Sequence, residues 1–519
     1  MTATVVIGAG HNGLVAACYL ARAGRDVVVL EALDVPGGGS RSAETVPGYR
    51  FDLHSAAHNI INMTDIPVDL ELRSVGLRYL EMDPFATSIR ADGRHVRFWR
   101  SIEATVASIS EYDRAEGVAY RKLMDLAVPL VRAVLPTIRA DGSAAAGLRA
   151  GGQLIRAFRH RPAVLARDLL GPYGALLVRR LPSDLTRAPV AAFAAHGAVG
   201  PDDAGGAIYG FWQAAYHLFG QWHPLGGAQA LADALIRRLE SLNGQVRCSQ
   251  PVVAIETSAG RVVAVRTAGG ERIPTGCVVA AIDPTATVNH LLDAPPDAMV
   301  SDLGGVRRGN VVQGVVHVAT TALPPYPDAR AEDHRGLQSY VTGLDDLRAG
   351  WNAAQAGRLP DQLPLYAFTP SALDSTLAPD GHHTVYLACP TTPAEVAGGW
   401  DRHRSRFVET ALARLGEAAP GFADTVVSAY AWTPDRMNAE GSWPGSHPMH
   451  VDLALDQLGA FRPTPALASH RTPISGLYLS GAGTSPTGGI AGTPGRQAAR
   501  AVLHDTRPAR RARTRPRHS

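Results

Sequence analysis

The sequence predicts an α/β protein in two lobes. One is a parallel sheet flanked by helices and assembled from separated pieces of chain; the other is an α+β lobe with a helical cap. Three observations predict it. Near the N-terminus, "TVVIGAGHNGLVAACYLARAG" runs from a short apolar segment through a glycine-rich turn into a helix-like stretch. In the middle, "HPLGG" opens a second helix that leads into a ladder of short β-rich runs. Near the C-terminus, "GLYLSGAGTSPTGGIAGTPGRQAARAVL" repeats the order of strand, glycine turn and helix. A chain of 519 residues also exceeds what one compact core supports.

The first element is a βαβ unit. "TVVIG" reads as a buried strand, "LVAACYLARAG" as a helix and "DVVVLE" as the next strand, all within about 30 residues. Gly8, Gly10 and Gly13 have the G-x-G-x-x-G spacing of a Rossmann-like dinucleotide fold. The first glycine allows the turn, the second lets a pyrophosphate approach the backbone, and the third lets helix and strand pack closely. The helix start offers free amides to phosphate, and Glu31, 18 residues beyond Gly13, is placed to accept bonds from a ribose diol.

The middle element begins at the turn Pro224 to Gly227. Ala228, Leu231, Leu235, Leu239 and Leu242 then recur at helical spacing, Gly244 caps the helix, and "QVRC", "PVVAIE", "RVVAVRT" and "CVVAAIDP" read as strands. The strands "VVQGVVHVAT" and "HHTVYLAC" are expected in the second lobe.

Bulk properties exclude several classes. The net charge of +3 suggests no nucleic-acid partner, and Lys122 is the only lysine. Cys18, Cys248, Cys277 and Cys389 lie far apart with no C-x-x-C pair, against a disulfide framework, a zinc site or dithiol chemistry. His382 and His383 are neighbours on one strand and point to opposite faces, so no metal constellation emerges. The first strand begins too early for a signal peptide, and no run approaches the length of a membrane span. A cytoplasmic protein, soluble or peripheral to a membrane, is expected.

After Glu31 comes "PGGGS", with Gly37 and Gly38, and then "ETVPGYRFDLHSAAH". A dinucleotide fold followed by such a paired-glycine turn resembles the FAD-binding flavoproteins related to phytoene desaturase and the amine oxidases. The C-terminal run resembles the "GLYL-x-GA-x-T-H-P-GGG" pattern of phytoene desaturases, desaturase-like bacterial carotenoid ketolases and pyridine nucleotide-disulfide oxidoreductase domain-containing protein 2. Gly481, Gly483, Thr484, Pro486, Gly488, Gly489 and Gly492 match; Ser485 stands where histidine is usual and Thr487 where glycine is usual. The resemblance implies FAD as cofactor, with the C-terminal turn returning to the N-terminal fold and closing over the flavin. It implies cofactor contacts from Gly8, Gly10, Gly13, Glu31, Gly37, Gly38, Gly483, Thr484 and Gly489. It also implies one from the backbone of Val252, which reads equally as a core strand valine.

The implied organisation is an FAD-binding domain from 1–95, 224–290 and 441–505, a substrate and cap domain from 96–223 and 291–440, and a disordered basic tail at 506–519. No second G-x-G-x-x-G unit occurs, so no dedicated NAD(P)H site is expected. Three functions follow from the resemblance: an FAD-dependent desaturase, dehydrogenase or ketolase on an apolar, isoprenoid-like small molecule; an FAD oxidase of a polar amine or secondary metabolite; and a non-catalytic binding protein on the same fold. His54, His58 and His450 are the candidate bases because they flank the glycine turns, with Asp452 behind them. Between 149 and 187 eight arginines alternate with leucines, the pattern either of a membrane-surface helix or of cap helices with a solvated basic face.

Overall fold

The protein is described by a computed structural model at residues 3–139, 148, 151–153, 156 and 167–507. Its first lobe is built on a five-stranded sheet in the order Leu477–Leu479, Val278–Ala280, Thr4–Ile7, Val27–Leu30 and Gln245–Arg247. Every pairing is parallel. The central strands are continuous runs of buried valine and leucine because helices or loops cover both faces. Helix His11–Arg22 packs between Thr493–Asp505 and Gln229–Ser241, one from each of the other two glycine-turn regions. Gly495 permits the close approach: a Cβ there would stand 2.0 Å from the Asn12 carbonyl oxygen. A three-stranded antiparallel sheet, Val252–Ser258, Arg261–Thr267 and Arg272–Pro274, completes the lobe.

The second lobe is a seven-stranded sheet in the order Val426–Trp432, Val311–Thr320, His383–Pro393, Tyr366–Phe368, Leu337–Ser339, Ala86–Ser88 and Val96–Phe98. Helices Ile102–Ser110, Arg114–Arg139, Tyr173–Arg180, Asp184–Ala194 and Gln213–Phe219 bury one apolar core with it. Two boundaries differ from the sequence reading. Ala86–Ser88 belongs to this second sheet, through parallel pairing with Leu337–Ser339, rather than to the first lobe. Helices Pro284–Leu291 and Asp297–Gly304 bury Val288, Leu291, Met299 and Leu303 against the first sheet, so that lobe continues past 290. The tail from 508 onward lies outside the described residues.

The Pro224 to Gly227 turn is clamped by both lobes. Asp52 accepts from the Ala228 amide at 2.6 Å and Asp374 from the Gly226 amide at 2.6 Å. Buried His223 stands between the two carboxylates, 3.9 and 3.7 Å away. Despite its burial, the neighbouring carboxylates of Asp374 and Asp52 raise its pKa above the ordinary histidine value.

Candidate active site

A cavity of about 930 Å³ runs between the lobes. Its first end is built by the glycine turns. The Gly37 amide donates to the Ala9 carbonyl at 2.9 Å, laying the paired-glycine turn beside the first. Glu31 then holds the floor, accepting from the Ala9 amide at 2.7 Å and the Leu33 amide at 3.0 Å. Gly10 and Gly13 serve different ends. A Cβ at Gly13 would lie 2.1 Å from the Gly8 carbonyl oxygen, whereas one at Gly10 would meet nothing nearer than Gly38 Cα at 3.9 Å. Gly13 is therefore needed by the fold itself, and Gly10 keeps open space free of side chain. No side chain caps the helix that starts at His11, so its first amides are free to meet an anion. An open glycine cradle, free helix amides and a carboxylate at the strand end are the donor set that a dinucleotide requires.

The C-terminal turn forms the facing wall. Gly481 and Gly489 adopt left-handed φ of 94° and 77°, and both line the cavity together with Pro486, Thr487 and Gly488. Gly483 and Thr484 stand behind the surface: a Cβ at Gly483 would meet Pro284 at 2.7 Å, and Thr484 donates to the Gly481 carbonyl at 2.9 Å. Of the other residues expected to touch a cofactor, Gly8, Gly10, Glu31, Gly38 and Val252 line the cavity, while Gly13 and Gly37 shape it from outside.

The three candidate histidines separate. His450 lines the cavity and is held at a left-handed φ of 64°, unusual for a side chain with a Cβ. Its carbonyl accepts from Arg308 Nε at 2.6 Å, and Arg308 also pairs with Asp283 at 2.6 Å. Burial lowers the His450 pKa to about 4, so the imidazole is neutral at pH 7. His54 also lines the cavity, edge-on to Trp443 with centroids 5.4 Å apart; burial, aided by His447 and His196, lowers it to about 4. Its Nε2 is buried without a hydrogen-bond partner among the described residues. His58 does not line the cavity: it is fully buried behind the wall, with Nδ1 3.1 Å from the Tyr79 hydroxyl. Asp452 is turned away onto the Gly309 amide, at 2.9 and 3.1 Å.

The far end of the cavity belongs to the second lobe. Phe193, Tyr209, Trp212, Tyr216, Tyr366 and Tyr386 line it, and His196 stacks on Tyr366 with centroids 4.1 Å apart. Gln313 links two of these rings, accepting from the Tyr366 hydroxyl and donating to that of Tyr386 at 3.2 Å. Sequence reasoning missed this wall. Its one visible signal was the glutamine in the strand "VVQGVVHVAT".

The sequence profile described as flavin containing amine oxidoreductase matches residues 13–503. Pyridine nucleotide-disulfide oxidoreductase domain-containing protein 2 of Mus musculus is 30% identical, over 96% of this chain and 93% of its own. A phytoene desaturase (neurosporene-forming) of Cereibacter sphaeroides is 26% identical, over 99% of this chain and 96% of its own. Among solved structures, an oxidoreductase from Methanosarcina mazei shares the fold with a TM-score of 0.62 at 15% identity, covering 97% of this chain and 100% of its own.

Proposed function

Because the chain belongs to the flavin containing amine oxidoreductases and is an FAD-dependent oxidoreductase of the desaturase type, we propose that it dehydrogenates an apolar, isoprenoid-like molecule. The observation that carries this reading is that no free charge lines the cavity among the described residues. Among the described residues lining the cavity, the only carboxylates are Glu31 and Asp283, and there is no arginine or lysine. Glu31 is bound to two amides, and Asp283 to Arg308 and the Ala286 amide. An ammonium substrate would enter this space with no carboxylate to pair with, a costly desolvation. A hydrocarbon loses nothing there and gains contact with the aromatic wall. The phytoene desaturase relative supports the same substrate class.

Gly8, Gly10, Glu31, Gly38, Val252 and Gly489 are the residues that would hold FAD, and Gly13, Gly37, Gly483 and Thr484 shape their turns. FAD, when bound, supplies the acceptor for the hydride. Forming a carbon–carbon double bond also releases a proton from the adjacent carbon, and this falls to the chain. His450 is neutral, lines the cavity and sits beside the C-terminal turn, so it is the base we assign; His54 is the second candidate.

Anaerobic titration of the FAD-loaded protein tests this. Acyclic isoprenoid hydrocarbons in detergent should bleach the flavin band and alkylamines should not; bleaching by the amines alone overturns the reading.

We also propose peripheral membrane contact through 149–187. No helix among the described residues is long and apolar enough to cross a membrane. Arg167, Arg179 and Arg180 converge on the single buried carboxylate of Asp168, leaving excess positive charge there. Leu170 and Val178 nearby are 63% and 50% exposed. Much of the remaining stretch lies outside the described residues.

A further inference from the structure

Arg462 is among the largest side chains buried completely. Sequence reasoning gave it no role, because a lone arginine before a proline carries no local signal. Its guanidinium donates to five backbone carbonyls: Ala482 from Nε at 3.0 Å and Nη2 at 2.6 Å, Asp452 and Gln457 from Nη1 at 2.9 and 3.0 Å, and Met449 and Val451 from Nη2 at 2.7 and 3.3 Å. It forms no ion pair among the described residues. Asp452, whose charge acts on it, spends its carboxylate on the Gly309 amide and on His447, 3.3 Å away. The hydrogen-bonding capacity of the guanidinium is thus met by carbonyl dipoles, while no described residue brings a counter-ion into contact with its full charge.

The position of that charge matters. Ala482 and Gly488 both line the cavity, and a Cβ at Gly488 would lie 3.2 Å from Arg462 Nη2. One layer of backbone therefore separates the cation from the wall facing the cofactor space. Burial lowers its pKa to about 9, which leaves it protonated at neutral pH. In this poorly solvated setting the field of an uncompensated charge reaches across the wall with little screening. A structural staple alone does not need a charge, since a neutral donor could bind carbonyls at lower desolvation cost.

We propose that Arg462 is a positioning and tuning residue: it fixes the 449–457 loop to the C-terminal glycine turn, and its unpaired charge raises the reduction potential of the flavin held there. This rests on the flavin reading above. Electrons added to a group behind Gly488 are stabilised by the cation, so the chain would favour removal of a hydride from an unactivated C–H bond.

The test is the equilibrium between protein-bound FAD and a reference redox dye, followed by absorbance without oxygen. Arg462→Met should shift that equilibrium at least tenfold toward oxidised flavin, about 30 mV for a two-electron couple. Arg462→Lys, which keeps the charge and loses most of the carbonyl bonds, should stay within threefold of wild type. Asp452→Asn removes the opposing charge and keeps an oxygen for the Gly309 amide. It should move the equilibrium threefold or more toward reduced flavin, and it decides the question if the methionine variant does not fold. With flavin bound, a shift short of tenfold in the methionine variant, or short of threefold in the asparagine variant where the methionine variant does not fold, overturns this inference alone. A wild-type protein that binds no flavin overturns it together with the reading on which it rests.

Discussion

Nε2 of His11 lies 3.0 Å from the carbonyl oxygen of Gly489 and donates to it, across 478 residues of sequence. The bond ties the first glycine turn to the last, on the wall of the same cavity. Burial lowers the His11 pKa to about 4, so the ring stays neutral and the bond persists at physiological pH. His11→Ala removes this bond and leaves the Gly489 carbonyl only the Ala491 amide, at 2.9 Å; the loss of one net hydrogen bond, about 1 kcal/mol, should lower FAD affinity roughly 5-fold. Equilibrium dialysis measures this; unchanged affinity would show that the latch does not order the turn.

Gly10 and Gly13 should respond oppositely to the same substitution. Gly10→Ala meets no protein atom within 3.8 Å, and φ is −66°. It should change stability by no more than about 1 kcal/mol, the cost of alanine at an N-cap, while FAD affinity falls at least about 100-fold, or 2.7 kcal/mol. Gly13→Ala drives a methyl into the Gly8 carbonyl and should cost about 3 kcal/mol or more of stability. Chemical denaturation and flavin titration of the two variants separate these outcomes.

His450→Asn tests the base. Asparagine tolerates the left-handed backbone that His450 occupies, so the loop should keep its shape. The rate of flavin reduction by substrate should fall about 10²- to 10⁴-fold with FAD retained. In wild type that rate should be flat from pH 6 to 8 and fall below about 5, as protonation near the lowered pKa of about 4 removes the base. Equal rates in the variant and wild type would transfer the role to His54.

Acid should destabilise the protein early. Burial lowers His11, His54, His58, His196, His217, His317, His334 and His450 to about 3 or 4. Each takes a proton in the unfolded chain near pH 6.5 and resists it in the fold. Stability therefore drops as pH falls from about 6.5 toward 4, by up to about 1.4 kcal/mol per pH unit for each group. His223 opposes this: with a raised pKa, it contributes fully below about 6.5 and loses that contribution as pH rises through the folded value. His383 and His470 are lowered by burial as well, so among the histidines one raised group stands against ten lowered ones, and the melting temperature should be lower at pH 5 than at pH 7.5. A higher melting temperature at pH 5 would contradict it.

Membrane contact predicts that the protein sediments with anionic liposomes at low salt and that Leu170→Asp with Val178→Asp abolishes it, since both side chains are exposed. Recovery of wild type in the supernatant at low salt, where screening is weakest, would remove the proposal.

Sequence alone determined the two-lobed α/β fold and the flavin family, because glycine turns are local codes. The spacing of Gly8, Gly10 and Gly13 prescribes backbone turns and close approaches within a few residues, and buried runs such as Val27–Leu30 announce a strand covered on both faces. What packs across the junction was not legible. His54, His58 and His450 look alike in sequence, yet two line the cavity and one lies behind it, because side-chain direction depends on strands and loops that meet only in the fold. Ala86–Ser88 joined the second sheet through pairing with residues some 250 positions away. The Arg462 carbonyls come from two loops that only tertiary packing brings together, and backbone carbonyls have no residue letter to betray them. Local conformational demands are written in residue type; the environment of a buried charge is set by which backbone surrounds it, and that is decided by the whole chain.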